Sequence, residues 1–159
     1  VNLAEPDRPN VIFVGDGSYM MMNSELSTAV MMGISTTIIV TDNRGFGCIN
    51  RLQKSTGSEP FNNLFKDSHH QKLPNIDYAL HAKSLGANAE KANSIEELEG
   101  LVEKFINRKE VNVIVIDTDP DQSTEEGGTW WDVAIPEVSK NQNVKKAFEN
   151  YSSFRKKKN

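Results

Sequence analysis

Two short segments of the chain carry residues that could hold an anion through a metal ion: Gly15-Asp16-Gly17-Ser18 and Asp42-Asn43-Arg44-Gly45. Glycines let a backbone approach a bound group closely. Backbone N–H groups at a turn or helix start attract negative charge. A carboxylate in the same place would repel a phosphate, so Asp16 is out of place unless a cation stands between. Mg²⁺ suits that role, because it takes oxygen ligands and commonly bridges one or two carboxylates to phosphates. Asn43 could supply a second oxygen from its side chain, and Gly45 a backbone carbonyl. Gly-Asp-Gly by itself better suits a tight turn ahead of a helix. The pairing of the two segments is what points to a metal-bridged diphosphate.

Both segments follow apolar runs. Residues 10–14 (NVIFV) read as a strand buried on both faces, and 36–41 (TTIIVT) as a strand built from β-branched residues. Between them Met22, Leu26, Ala29, Val30 and Gly33 fall at helical spacing. Residues 10–41 therefore predict a βαβ unit, with parallel strands and a right-handed crossover. Residues 42–74 read as one long irregular segment. A helix is expected over about 76–85, stopped by Gly86, and a short strand over 86–92. Ser94 and Glu97 form a capping box ahead of the stripe Ile95, Leu98, Leu101, Val102, Phe105 and Ile106. Residues 111–117 (VNVIVID) are a further buried strand, and 143–158 predict a final helix with a basic end. The expected fold is α/β, a doubly wound and mostly parallel sheet flanked by helices. In such sheets ligands bind beyond the strand C-termini, which is where Asp16 and Asn43 fall. Residues 1–118 are expected to form the diphosphate-binding domain, short of its N-terminal part, with 119–159 a tail of the same domain.

Composition narrows the setting. The chain has 159 residues, 37% hydrophobic and 25% charged, with net charge −4. That balance argues against nucleic acid, whose phosphates call for a basic surface. No apolar run approaches the ~20 residues of a membrane span. One cysteine, Cys48, rules out an internal disulfide, and a cytoplasmic setting is expected. No G-x-G-x-x-G or P-loop pattern is present. The opening residue is Val1, and the segment VNLAEPDRP reads as the continuation of a longer chain.

The arrangement GDGS, helix, β-branched strand, then DN-x-G resembles the diphosphate-binding signature of thiamine-diphosphate enzymes. The resemblance implies thiamine diphosphate and Mg²⁺ as cofactors. It implies Asp16, the Asn43 side chain and the Gly45 carbonyl as metal ligands, and Gly15, Gly17 and Ser18 against the diphosphate. Asp42 departs from the pattern, since many members have a first Asn there, but that position is not the usual ligand. Two further stretches, NRGFGCINRLQ with the later FNNL, and EEGGTWWDVAIPEVS, resemble the hydrolases of inositol catabolism that act on 3D-(3,5/4)-trihydroxycyclohexane-1,2-dione. Such enzymes open a cyclic polyhydroxylated 1,2-diketone to a deoxy-glucuronic acid. The resemblance further implies an activating glutamate on a pyrimidine-binding domain outside these residues, of the same or a partner subunit. The site is then shared in a homodimer or homotetramer, and the 159 residues alone should not turn over. An acetohydroxyacid-synthase-like carboligase acting on 2-oxoacids is the alternative enzyme, and a non-catalytic assembly domain the alternative of another class.

The remaining candidates have simpler readings beside them. His69 and His70 could contact substrate hydroxyls or shuttle protons, although a solvated loop accounts for them as well. His81 is expected in packing or at the surface. Trp130 and Trp131 could form a lid or pack on their own domain. Cys48 is expected as a small buried hydrophobe. Met20, Met21, Met22, Met31 and Met32 read as core filler or a subunit contact. Arg44 could pair with substrate or with a carboxylate. Glu125, Glu126 and the terminal lysines read as solvated charges.

Overall fold

The computed structural model describes residues 1–122 and 133–158. The expectations for Glu125, Glu126, Trp130 and Trp131 lie outside the described residues. The chain divides into two compact units, one of residues 1–46 and 70–119, the other of 47–69 and 120–159.

The first unit is a four-stranded parallel sheet in the order β1-β2-β4-β3. Its strands are β1 (Val11–Gly15), β2 (Thr36–Asp42), β3 (Asn88–Ala92) and β4 (Val111–Asp117). Strand β4 is central and runs VNVIVID, buried at every position up to Ile116. A near-continuous apolar run is what a parallel strand covered on both faces requires. Helices α1 (Asp16–Met21), α2 (Glu25–Met31) and α4 (Tyr78–Ser84) lie over one core cluster, built on Tyr19, Leu26, Val40, Tyr78, Ala82 and Val113. Helix α5 (Ile95–Phe105) covers the other, where Phe105 packs with Ile39, Ile114 and Ile116. Asn112 is the buried polar exception on β4, and its amide donates to the carbonyl of Glu110 at 3.0 Å. This is the α/β sheet with helices on both faces that the alternating pattern predicts.

Three local expectations change. Strand β1 sits at the sheet edge, and Ile12 and Phe13 are 47% and 69% exposed. Apolar residues on both faces predict burial on both, whereas Ile12 and Phe13 point to opposite faces and both stay exposed, and Val14 packs against this unit's core. The single helix after Asp16 is two. Helix α1 stops at Met21, where the Asn23 side chain donates to the Met20 carbonyl at 3.0 Å. Asn competes in this way with the helical ladder. The five methionines Met20, Met21, Met22, Met31 and Met32 are all exposed, so they do not fill the core.

The second unit contains α3 (Gly47–Ser55), a 3-10 turn at Phe65–Asp67, and α6 (Gln142–Lys158). Residues 42–74 are therefore less irregular than their composition suggests. Gln53 on α3 explains how the following loop is held. Its side-chain oxygen accepts from the Phe61 N–H at 3.1 Å and from the Asn63 amide. Asp121 takes ion pairs from Lys54 at 3.4 Å and from Lys66. Cys48 is exposed on the first turn of α3, against the expectation of burial. Among the described residues no helix is long and apolar enough to cross a membrane.

Candidate functional site

The parallel pairing of β1 with β2 places Gly15 opposite Thr41. Asp16 and Asp42 thus leave adjacent strand ends on the same edge of the sheet. Asp16 opens α1 and is fully buried. Its carboxylate reaches across to the turn that leaves β2. One oxygen accepts from the Asn43 N–H at 3.1 Å, the other from the Gly45 N–H at 2.7 Å. Asp42, itself buried, closes its own turn by accepting from the Arg44 N–H at 3.0 Å. Arg44 takes φ 59° and Gly45 φ 144°. A left-handed non-glycine residue costs on the order of 1 kcal/mol, and such strain concentrates at functional turns. The Arg44 guanidinium lies 3.6 Å from the Asp117 carboxylate, at the surface.

Gly17 fits where no larger residue does. A Cβ built there would stand 2.8 Å from the Phe46 ring and 2.9 Å from the Gly45 carbonyl oxygen. The Gly45 carbonyl therefore comes down on the first turn of α1. The structure gathers Asp16, Gly17, Asn43 and Gly45 at one place, as their spacing suggests. Gly15 ends β1, with open space where its Cβ would be. Ser18 is exposed beside them, and His69 and His70 are exposed as well.

Electrostatics at the cluster invite a cation. Burial raises the pKa of Asp16 above the usual carboxylate range, and the Asp42 charge adds to the rise. The N–H groups of Asn43 and Gly45 pull the other way. A dication would relieve both the desolvation and the repulsion. The donor types agree: a carboxylate, a carboxamide and a backbone carbonyl are all hard oxygens. Each carboxylate oxygen of Asp16 keeps a lone pair beyond the one its N–H donor uses. With a single carboxylate the set suits Mg²⁺ completed by phosphate oxygens. Among the described residues, no group of three or more His, Cys, Asp or Glu forms a metal site by itself. The residues present therefore fit a metal-bridged diphosphate.

Two tyrosines behind the cluster escape sequence reasoning. Tyr78, the first residue of α4, is 3% exposed. Burial pushes its hydroxyl well above its ordinary pKa, and the Asp16 and Asp42 charges add to this. Tyr19 packs edge-on against it, ring centres 5.7 Å apart, and its hydroxyl is 2.8 Å from Nδ1 of His81. The available signal was a tyrosine on the buried stripe of each helix, whose hydroxyl must find a partner.

The chain is similar to known proteins. Residues 1–116 match the family described as thiamine pyrophosphate enzyme, C-terminal TPP binding domain. The chain is 38% identical over 149 residues to the 3D-(3,5/4)-trihydroxycyclohexane-1,2-dione hydrolase of Bacillus subtilis, covering 94% of this chain and 23% of that protein. It is 37% identical over 155 residues to the hydrolase of the same name from Clostridium tetani, covering 94% of this chain and 24% of the other. The chain thus spans about a quarter of the length of these relatives. Its fold is similar to benzoylformate decarboxylase from Polynucleobacter necessarius. That structure matches with TM-score 0.65 at 21% identity, over 77% of this chain and 22% of the other. A thiamine diphosphate-dependent 4-hydroxybenzoylformate decarboxylase from Rhodococcus jostii also matches at TM-score 0.65, with 23% identity and the same coverage. The chain belongs to the thiamine pyrophosphate enzyme family and carries its C-terminal TPP binding domain.

Proposed function

We propose that the full-length protein is a thiamine-diphosphate- and Mg²⁺-dependent hydrolase of inositol catabolism. It opens the ring of trihydroxycyclohexane-1,2-dione, a cyclic polyhydroxylated 1,2-diketone, to 5-deoxy-glucuronate. The observation that carries this reading is the likeness to hydrolases of that name over 94% of the chain. In this reading residues 1–118 hold the diphosphate end of the cofactor. The Asp16 carboxylate, the Asn43 side-chain oxygen and the Gly45 carbonyl bind Mg²⁺. Gly15, Gly17 and Ser18 lie against the diphosphate, Gly17 because only a glycine fits under Phe46 and the Gly45 carbonyl. When bound, thiamine diphosphate supplies a centre that stabilises the carbanion left by C–C cleavage.

This chain's own residues bind and orient. The activating glutamate is left to a pyrimidine-binding domain of the same or a partner subunit, with His69 and His70 as the candidates in this chain for contacting substrate. The exposed apolar strip favours such a neighbour. Met22, Met32, Val11 and Ile12 line a groove of about 720 Å³ in the first unit, and contiguous exposed apolar surface marks contact faces. The assembly is a cytoplasmic homodimer or homotetramer, and the 159 residues alone do not turn over.

The test supplies the full-length protein with Mg²⁺, thiamine diphosphate and either the cyclic dione or pyruvate. Ring-opened acid from the dione is the expected product. Carboligation of pyruvate without ring opening would assign the protein to the acetohydroxyacid-synthase-like class. Cofactor binding without either reaction would leave a non-catalytic assembly role.

A further inference from the structure

Helix α1 has only six residues, yet it presents Asp16, Gly17 and Ser18. A helix this short has little stability of its own and takes its orientation from what holds it. Asp16 ties its first residue to the turn at Asn43–Gly45. One turn on, Tyr19 ties it to α4. Tyr19 is 5% exposed, with its hydroxyl 2.8 Å from His81 Nδ1. Its ring stands edge-on to Tyr78 at 89° and to His81 at 81°, centres 5.7 Å apart in both cases. Helix α4 offers a firm base. The Asp77 side chain caps it by accepting from the Leu80 N–H at 2.8 Å, and Tyr78, Ala79 and Ala82 are buried in the core. A phenylalanine at position 19 would fill the same space. The hydroxyl adds one thing, a directional bond to α4 that fixes the rotation of α1 about its axis.

We propose that Tyr19 and His81 are positioning residues for the diphosphate turn. Their hydrogen bond sets the direction of the Gly17 and Ser18 N–H groups and of the Asp16 carboxylate. The inference rests on the reading that these three residues hold the cofactor. Neither Tyr19 nor His81 touches cofactor or substrate. They act through the orientation of α1.

The test uses full-length protein carrying Tyr19→Phe, His81→Phe or His81→Gln, beside Asp16→Asn. Calorimetry measures thiamine diphosphate affinity at saturating Mg²⁺, and amide hydrogen exchange over residues 16–21 is followed without ligand. Tyr19→Phe and His81→Phe are expected to weaken affinity five- to tenfold and to speed exchange in α1. His81→Gln, whose amide can bond the Tyr19 hydroxyl, is expected to recover most of both. A loss of thermal stability with unchanged affinity and unchanged α1 exchange would show a packing role alone and overturn the inference. Failure of His81→Gln to rescue would overturn it as well. Affinity lost in Asp16→Asn but kept in both phenylalanine variants defeats the positioning role only. Affinity insensitive to Asp16→Asn defeats the cofactor reading beneath it, and the inference with it.

Discussion

Replacing Gly17 by alanine adds one methyl group at the tightest point of the site. Carbon atoms pack best at about 3.5–4.0 Å. The new Cβ would stand 2.8 Å from the Phe46 ring and 2.9 Å from the Gly45 carbonyl oxygen. Either neighbour must retreat by roughly 0.7 Å or more to restore ordinary contact. Phe46 is 37% exposed and has room to swing. The Gly45 carbonyl does not, because the Gly45 N–H is held to Asp16 at 2.7 Å. Overpacking of this kind costs about 1–3 kcal/mol. Alanine returns about 0.5–1 kcal/mol through helix propensity. The net expectation is a loss of about 1 kcal/mol, read in full-length protein as a lower urea midpoint with unchanged slope. The displaced Gly45 carbonyl should also weaken Mg²⁺-dependent thiamine diphosphate binding by tenfold or so, on the scale of losses when groups supporting a metal site shift. A Gly17→Ala protein more stable than wild type, with full affinity, would refute the argument. It would mean that the turn yields freely and the close approach does no positioning.

Other expectations follow from single contacts. Tyr19 titrates near 10 when unfolded and is pushed up to about 12 in the fold by burial. Its contribution is therefore present below about pH 10 and lost as pH rises toward 12, at roughly 1.4 kcal/mol per pH unit. Urea midpoints across that window should fall less steeply in Tyr19→Phe, and an identical slope would dismiss the assignment. Gly57 has φ 82° and no space for a side chain, since a Cβ would sit 2.5 Å from the Asn143 carbonyl oxygen. Gly57→Ala should destabilise the protein by about 2 kcal/mol or more. Ser94 caps α5 by accepting from the Glu97 N–H at 3.2 Å. Ser94→Ala should cost about 1 kcal/mol and Ser94→Gly only a few tenths, by the same urea assay.

Much of the first unit can be read directly from residue order. The β-branched run at 36–41 and the apolar run at 111–117 leave few alternatives to strands, and Ser94 with Glu97 marks a helix start. The Asp16, Asn43 and Gly45 cluster is legible because parallel strand ends bring equivalent positions together. Hidden features depend on what the chain packs against. Nothing in NVIFV says that β1 is an edge strand, because an apolar run does not name the strand that pairs with it. Exposure of Cys48 and the five methionines is equally invisible, since an apolar residue type does not say which surface it meets. Helix α3 is hidden because Gly45, Gly47 and the polar residues of 50–58 weaken any helical signal, whereas Gln53 fixes the following loop through side-chain bonds. The tyrosine pair behind Asp16 joins two helices far apart in sequence, and no local pattern announces such a contact.

In the proposed site, Asn43 and its neighbours hold a metal-bridged diphosphate. The direct measurement is calorimetric titration of thiamine diphosphate into full-length protein, with and without Mg²⁺, for wild type and Asn43→Ala. This variant keeps the backbone N–H that Asp16 accepts, so it removes the proposed side-chain ligand and leaves the turn's bond to Asp16 in place. Wild-type binding should require Mg²⁺, and affinity should be at least about tenfold weaker in Asn43→Ala, by analogy with losses on removing groups that support a metal. Binding that ignores Mg²⁺, or that survives Asn43→Ala unchanged, would contradict the proposed site.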